Sequence, residues 1–184
     1  MAKLVAFNFI SLDGYYKGAD GDTSWHRHGD EEHDYAINSM QQDSLLLYGR
    51  ITYQMMAGYW ASEMALQNDP ILAKAMNDAE KIVFSKTLTK ADWNNTSVVS
   101  NLIDEVKRLK QNGTKDMAIL GSGTIITQLT DAGLIDEYQI MIDPVILGKG
   151  TSIFSGLKQP HNLVLTSTRT FKSGVVLLCY NPMM

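Results

Sequence analysis

Gly121-Ser122-Gly123-Thr124 carries the plainest chemical signal in this sequence. Residues 116–120, Asp-Met-Ala-Ile-Leu, read as a short buried strand. Beyond the glycines, Ile125, Ile126, Leu129 and Ala132 recur at helical spacing up to Gly133. A strand feeding a glycine turn that opens a helix makes an anion site. The first amide hydrogens of such a helix have no partner within it, and its dipole is positive at that end. Glycine at 121 and 123 leaves room for a phosphate against the backbone. The pattern is one residue short of the full dinucleotide fingerprint and has no P-loop lysine. By itself it fits an anion site or a plain strand-to-helix turn.

Acidic and imidazole groups crowd another segment. His26, His28, Asp30, Glu31, Glu32 and His33 fall within eight residues. Imidazole and carboxylate are common metal ligands, but no established ligand spacing occurs here, and no metal is expected. The segment reads instead as a polar loop and a charged helix start, or as a lid over a substrate with Trp25 as its stacking face. A third cluster, Tyr53, Met55, Met56, Tyr59 and Trp60, is either core or the wall of a pocket for a planar ligand. Trp60 is the wall candidate, because it follows Gly58 at a helix end.

The elements that must position these residues follow from the hydrophobic pattern. Strands are expected over 3–10, 45–48, 81–85, 96–99 and 116–120, and then over 137–143, 162–171 and 174–181. Helices are expected over 30–42, from Gly49 through the Tyr53 cluster, over 70–78, and from the Asn101 cap to Gly113. A long polar loop is expected from Tyr15 to about Gly29. Strands alternating with helices imply an α/β fold with a mainly parallel central sheet flanked by helices, and an antiparallel C-terminal hairpin at one edge. Ligands of such sheets bind at the carboxyl ends of the strands. That rule gathers residues 11–29, 49–52, 85–87 and 121–124 on one rim.

Composition narrows the function classes. The chain has 184 residues, suiting one domain over 1–184, with 45% apolar and 20% charged residues. A net charge of −4 without a long basic run argues against nucleic acid as a partner. No apolar run reaches the length of a membrane span, and the N-terminal one is too short for a signal peptide. The single cysteine, Cys179, sits in an apolar run and reads as core. A cytoplasmic, reducing setting fits it.

Taken together, the rim segments resemble the dihydrofolate reductase-like fold, over nearly the whole chain and in segment order. Gly49-Arg50-Ile51-Thr52 resembles that family's turn for the cofactor pyrophosphate. Ser85-Lys86 resembles its site for the 2′-phosphate side of NADPH. Gly121-Ser122-Gly123-Thr124 resembles its glycine turn under the pyrophosphate and nicotinamide. Ser11-Leu12-Asp13-Gly14 and Asp143-Pro-Val-Ile-Leu-Gly-Lys-Gly150 are similar to the reductase domain of the bifunctional riboflavin-biosynthesis deaminase–reductase. No histidine–x–glutamate motif with paired cysteines accompanies them, so a stand-alone relative of that reductase domain is expected.

The resemblance implies an NADPH-dependent reductase that passes hydride to a C=N or C=O bond of a small heterocycle, pteridine- or pyrimidine-like. 5-Amino-6-(5-phosphoribosylamino)uracil reductase is the nearest activity it suggests. The competing reading is an NADP-binding sensor without turnover. The resemblance also places an acid near Asp34, with Asp30, Glu31 and His33 as alternatives. Asp13, in a turn that Asp-Gly favours for backbone reasons, has either a substrate or a loop-ordering role. Trp25 and Trp60 are the expected substrate contacts. A homodimer through the C-terminal strands is expected, because long apolar edges are usually paired or covered. The segment 144–154 contributes Ile146, Leu147, Ile153 and Phe154 to that expectation.

Overall fold

The computed structural model describes residues 1–183. Apolar runs too short for helices become strands, and the amphipathic runs between them become the helices that cover the sheet. In chain order these are β1 (Leu4–Ser11), β2 (Tyr15–Gly18), α1 (Asp30–Met40), β3 (Leu45–Gly49), α2 (Arg50–Trp60), α3 (Glu63–Asn68), α4 (Pro70–Asp78), β4 (Lys81–Phe84) and β5 (Thr96–Val99). Then follow α5 (Leu102–Asn112), β6 (Met117–Leu120), α6 (Gly123–Asp131), β7 (Glu137–Asp143), β8 (Gly150–Ser152), β9 (Leu163–Thr170) and β10 (Val176–Pro182).

Eight strands form one sheet in the order β5-β4-β3-β6-β1-β7-β10-β9. β5 through β7 in that order run parallel. β10 returns antiparallel beside β7 and carries β9 as the edge. The expected α/β architecture, with its antiparallel C-terminal pair, is what forms. Strand alternation divides the core in two. Leu4, Ala6, Leu45, Leu47 and Ile119 meet α5 and α6 on one face. Leu46, Tyr48 and Val83 meet α2 and α4 on the other, where Met141, Leu177 and Cys179 pack with Tyr35 of α1.

Three features depart from the sequence expectations. Tyr15–Gly18 is not loop but strand, pairing antiparallel with β8 in a separate ribbon. Its partner lies some 130 residues away, so no local pattern announces it. The short helix α3, capped by Ser62, lies where no element was expected. Ile153 and Phe154 face inward, Ile153 at 3% exposure, whereas Ile146 is 70% exposed.

Candidate functional site

The order β4-β3-β6-β1 places the three glycine- and hydroxyl-bearing turns side by side, because neighbouring strands lie about 4.8 Å apart. Two of them are bonded together. The amide of Gly49, at the start of α2, donates to Ser122 Oγ at 3.0 Å, at the start of α6. Ser122 reaches it from a left-handed conformation (φ 58°) directly after Gly121 (φ 67°). A side chain at Gly121 would be strained, and its Cβ would lie 3.3 Å from Thr52 Cγ2.

The helix starts differ in a telling way. Ser62, Asp69 and Asn101 cap α3, α4 and α5 with their side chains. α1, α2 and α6 have no side-chain cap; of these, α2 and α6 start side by side on the rim, where their leading amides stay available to an anion. Arg50, exposed, bonds only Gln54 among the described residues, at 3.3 Å, and Lys86 is exposed on the adjacent turn. Asn8 completes this half. It is 4% exposed, and its Nδ2 has no hydrogen-bond partner among the described residues. The preceding carbonyl, of Phe7, accepts from the Gly121 amide at 3.0 Å. A buried amide without a partner costs free energy unless an acceptor arrives. The carboxamide of a nicotinamide is such an acceptor. Paired helix starts, two cations and this amide fit a phosphorylated dinucleotide.

Two expected roles shift in detail. Glycine at 123 was expected to make room for a phosphate, but the space a side chain there would take is filled by the ring of Tyr16. A Cβ at Gly123 would stand 2.9 Å from Tyr16 Cε1. Ser85 Oγ accepts from the amides of Thr87 and Leu88 at 3.1 and 2.9 Å, so it first shapes its own turn. Thr124 is exposed and Thr52 half-buried.

Beyond β1 the rim is built from side chains. Asp143, at the end of β7, is fully buried. Its Oδ1 accepts from the Arg27 amide at 2.8 Å, and its Oδ2 faces His26 Nδ1 at 3.3 Å. The His26 ring packs between Trp25 and Phe9, with centroids 3.9 and 4.6 Å away. His28 stands beside it; burial first, and then the neighbouring His26, hold its pKa below the usual imidazole value. The hairpin turn 172–174 braces this loop. Arg27 Nη1 donates to Ser173 O at 2.6 Å, Lys172 N donates to Glu31 at 2.9 Å, and the Ser173 hydroxyl donates to buried Glu32. No three histidine, cysteine or acidic groups among the described residues are placed to hold a metal.

Residues 2–177 match the family model described as the RibD C-terminal domain. The chain belongs to the RibD C-terminal domain family. Two Bacillus subtilis (strain 168) proteins are similar over nearly their whole lengths. Uncharacterized protein YyaP is 33% identical over 173 residues, 94% of this chain and 90% of its own. Uncharacterized protein YwjB is 26% identical over 182 residues, 95% of each. Among solved structures, a putative riboflavin biosynthesis protein from Shewanella sp. PV-4 superposes over 100% of both chains with a TM-score of 0.73 at 22% identity. A pyrimidine reductase-like protein from Corynebacterium diphtheriae superposes over 100% of this chain and 92% of its own, with a TM-score of 0.68 at 14% identity. The Thermotoga maritima deaminase/5-amino-6-(5-phosphoribosylamino)uracil reductase matches 99% of this chain over 57% of its own, with a TM-score of 0.70 at 16% identity. These structures share the fold.

Within this member of the RibD C-terminal domain family, the expected acids sit apart from one another. Asp13 orders a turn. It accepts from Ser11 Oγ at 2.7 Å and from the amides of Leu147 and Gly148 at 3.1 and 2.7 Å. The Ser11 hydroxyl above all holds its carboxyl below the usual range. Asp34 is exposed, roughly 200° around α1 from buried Glu32 at 3.6 residues per turn. His33 pairs with Asp69 at 2.7 Å, tying α1 to α4. Trp25 donates to Asp22 O at 3.1 Å and is half-buried beside His26. Trp60 packs against the core cluster of Leu46, Tyr48 and Trp93, and its carbonyl accepts from Asn77 Nδ2 at 2.8 Å; at the far end of α2, about 16 Å from Gly49 at 1.5 Å per residue, it stands away from the rim where a substrate contact was expected. The His26–Asp143 pair escaped sequence reading, although both residues stood in segments singled out there; 117 positions separate them.

Proposed function

We propose that this protein is a reductase using NADPH to reduce a small planar heterocycle of the pyrimidine or pteridine type. The observation that carries the reading is the pair of uncapped helix starts joined through Ser122 and Gly49, with Arg50 and Lys86 beside them. The amides of α2 and α6 bind phosphate, and Asn8 orients the carboxamide of the nicotinamide. When bound, that cofactor supplies a hydride. Trp25 flanks the substrate ring, and the protein contributes orientation and the exclusion of water. The names of the Corynebacterium and Thermotoga relatives support a pyrimidine as first choice.

The edge strand β9 is exposed along nearly its full length, with Val164 and Leu165 at 46% and 50% exposure. A second copy covers it in the homodimer that completes this proposal. Light scattering at micromolar concentration is expected to give twice the chain mass; a monomer mass overturns the dimer.

Following NADPH oxidation over a panel of pyrimidines, pterins and simple carbonyls tests the activity. Turnover of a heterocycle is expected. Tight NADPH binding without oxidation of any panel member would instead favour a sensor.

A further inference from the structure

We propose that His26, held by the buried carboxylate of Asp143, is the proton donor of the reduction. The inference rests on the reductase reading and names the acid that reading lacks. Four observations converge on this one side chain.

The first is the partner. Asp143 is 0% exposed and uses one oxygen for the Arg27 amide, leaving the other for His26 Nδ1 at 3.3 Å. A carboxylate accepting from Nδ1–H fixes the ring's orientation and tautomer, so that Nε2 faces away from it and bears the transferable proton in the imidazolium form. The second is that His26 Nε2 makes no hydrogen bond among the described residues, while the side chain is 11% exposed. An imidazole this enclosed, fixed at one end and free at the other, has the form of a general acid.

The third observation is the ring's setting. Trp25 and Phe9 hold it from two sides at centroid distances of 3.9 and 4.6 Å. Phe9 follows Asn8 in β1, and successive strand residues point to opposite faces, about 3.3 Å apart along the strand. β1 therefore places Asn8 on the α6 face and Phe9, with the histidine it holds, on the α1 face, both toward the carboxyl end of the strand. The fourth is elimination. Asp13 is engaged by Ser11 and two amides, Glu31 by Lys172, Glu32 by Ser173 and His33 by Asp69, while Asp30 and Asp34 are exposed.

In the step, a hydride from the reduced nicotinamide adds to the carbon of a C=N bond. The π pair moves to nitrogen and takes the proton from Nε2. NADP+ and a neutral imidazole remain, and water returns the proton. The charged and titratable groups around His26 are Asp143 from β7, Asp22, Arg27 and His28 from its own loop, and Glu32 of α1 through His28.

The test compares wild type, His26→Gln and Asp143→Asn. NADPH affinity is read by tryptophan fluorescence, and single-turnover NADPH oxidation uses 5-amino-6-(5-phosphoribosylamino)uracil as probe. His26→Gln is expected to bind NADPH within twofold of wild type. Wild-type turnover is expected to decline at alkaline pH; His26→Gln is expected to lose that decline and to turn over about a hundredfold to ten-thousandfold more slowly. Asp143→Asn still accepts from the Arg27 amide, and it is expected to move that decline to lower pH; it decides the question if His26→Gln fails to fold. Nitrogen-15 spectra of the NADP+ complex are expected to show His26 Nε2 shifting when the pyrimidine is added, with His33 unchanged. Turnover of His26→Gln within threefold of wild type overturns the proposal. So does an unmoved pH profile in Asp143→Asn, or a wild type that binds NADPH yet does not reduce the pyrimidine. A wild type that fails to bind NADPH overturns the reductase reading itself.

Discussion

The two halves of the rim are made of different material. From β4 to β6 the site is backbone: amides at two helix starts, a left-handed Gly121-Ser122 step, and cations that point into solvent. From β1 to β7 it is side chain: a buried aspartate, a histidine, a buried glutamate and the hairpin turn that braces them. Backbone sites follow from local sequence, because a turn's residues determine its geometry. Side-chain sites of the second kind depend on contacts across more than a hundred residues. The first half suits a ligand with phosphate charge; the second can tune and move a proton.

The difference can be broken from either side, and the largest effect is expected in the backbone half. Gly121→Val puts a β-branched residue at φ 67° and brings its Cβ against Thr52. Strain of about 1–3 kcal/mol is expected, together with loss of NADPH binding, read by thermal unfolding and by titration. A folded variant with wild-type affinity would make this turn merely structural.

In the other half, Asp143→Ala leaves the part-buried Arg27 amide without its acceptor. A loss of about 1–3 kcal/mol is expected, with faster hydrogen exchange over residues 22–30 and little change in NADPH affinity. An equal loss of cofactor binding would mean that the two halves are not separable.

Lys86→Ala and Arg50→Ala address cofactor choice. Charge-assisted hydrogen bonds contribute about 1.5–3 kcal/mol, or one to two decades of affinity. Each variant is expected to weaken NADPH more than NADH. Equal binding of both cofactors by wild type would remove the 2′-phosphate assignment.

Away from the rim, Lys81 is a control on the scaffold. It is 1% exposed and donates to the carbonyls of Met76, Asn77 and Ala79, closing the end of α4 against the face of Trp93. Burial draws its pKa down to about 8 from 10.5. Between those values the unfolded chain binds more protons than the folded one, so stability rises with pH. Burial pushes Tyr35 up to about 12, which opposes the trend above pH 10. A rise between pH 8 and 10 is therefore expected, and it should vanish in Lys81→Met. A flat wild-type profile over that window would contradict it. The smallest effect is expected of Asp34→Asn. With its side chain on the outer face of α1, binding and turnover should stay within twofold; a hundredfold loss would return the acid to this residue.

What the sequence disclosed follows the same division. The parallel strands and their helices were legible because apolar runs and periodicity are local; strand 96–99 and helix 70–78 stand where expected. The glycine turns were legible for the same reason. The Tyr15–Gly18 ribbon was not, because a four-residue strand carries too little alternation without its partner. Asp143 was visible only as part of a turn motif, and His26 only as one imidazole among several. Nothing local says that the sheet brings the end of β7 under that loop. Asp34 drew attention by its spacing from Gly49, but spacing along a helix does not say which face is buried, and Glu32 takes the inward position.

On the proposed function, the Gly49–Ser122 junction holds a phosphorylated nicotinamide dinucleotide. A crystal structure of the protein with NADP+ tests it most directly. The pyrophosphate is expected on the amides of α2 and α6, the 2′-phosphate near Lys86, and the carboxamide on Asn8 Nδ2. A dinucleotide bound elsewhere, or none at millimolar NADP+, would contradict it.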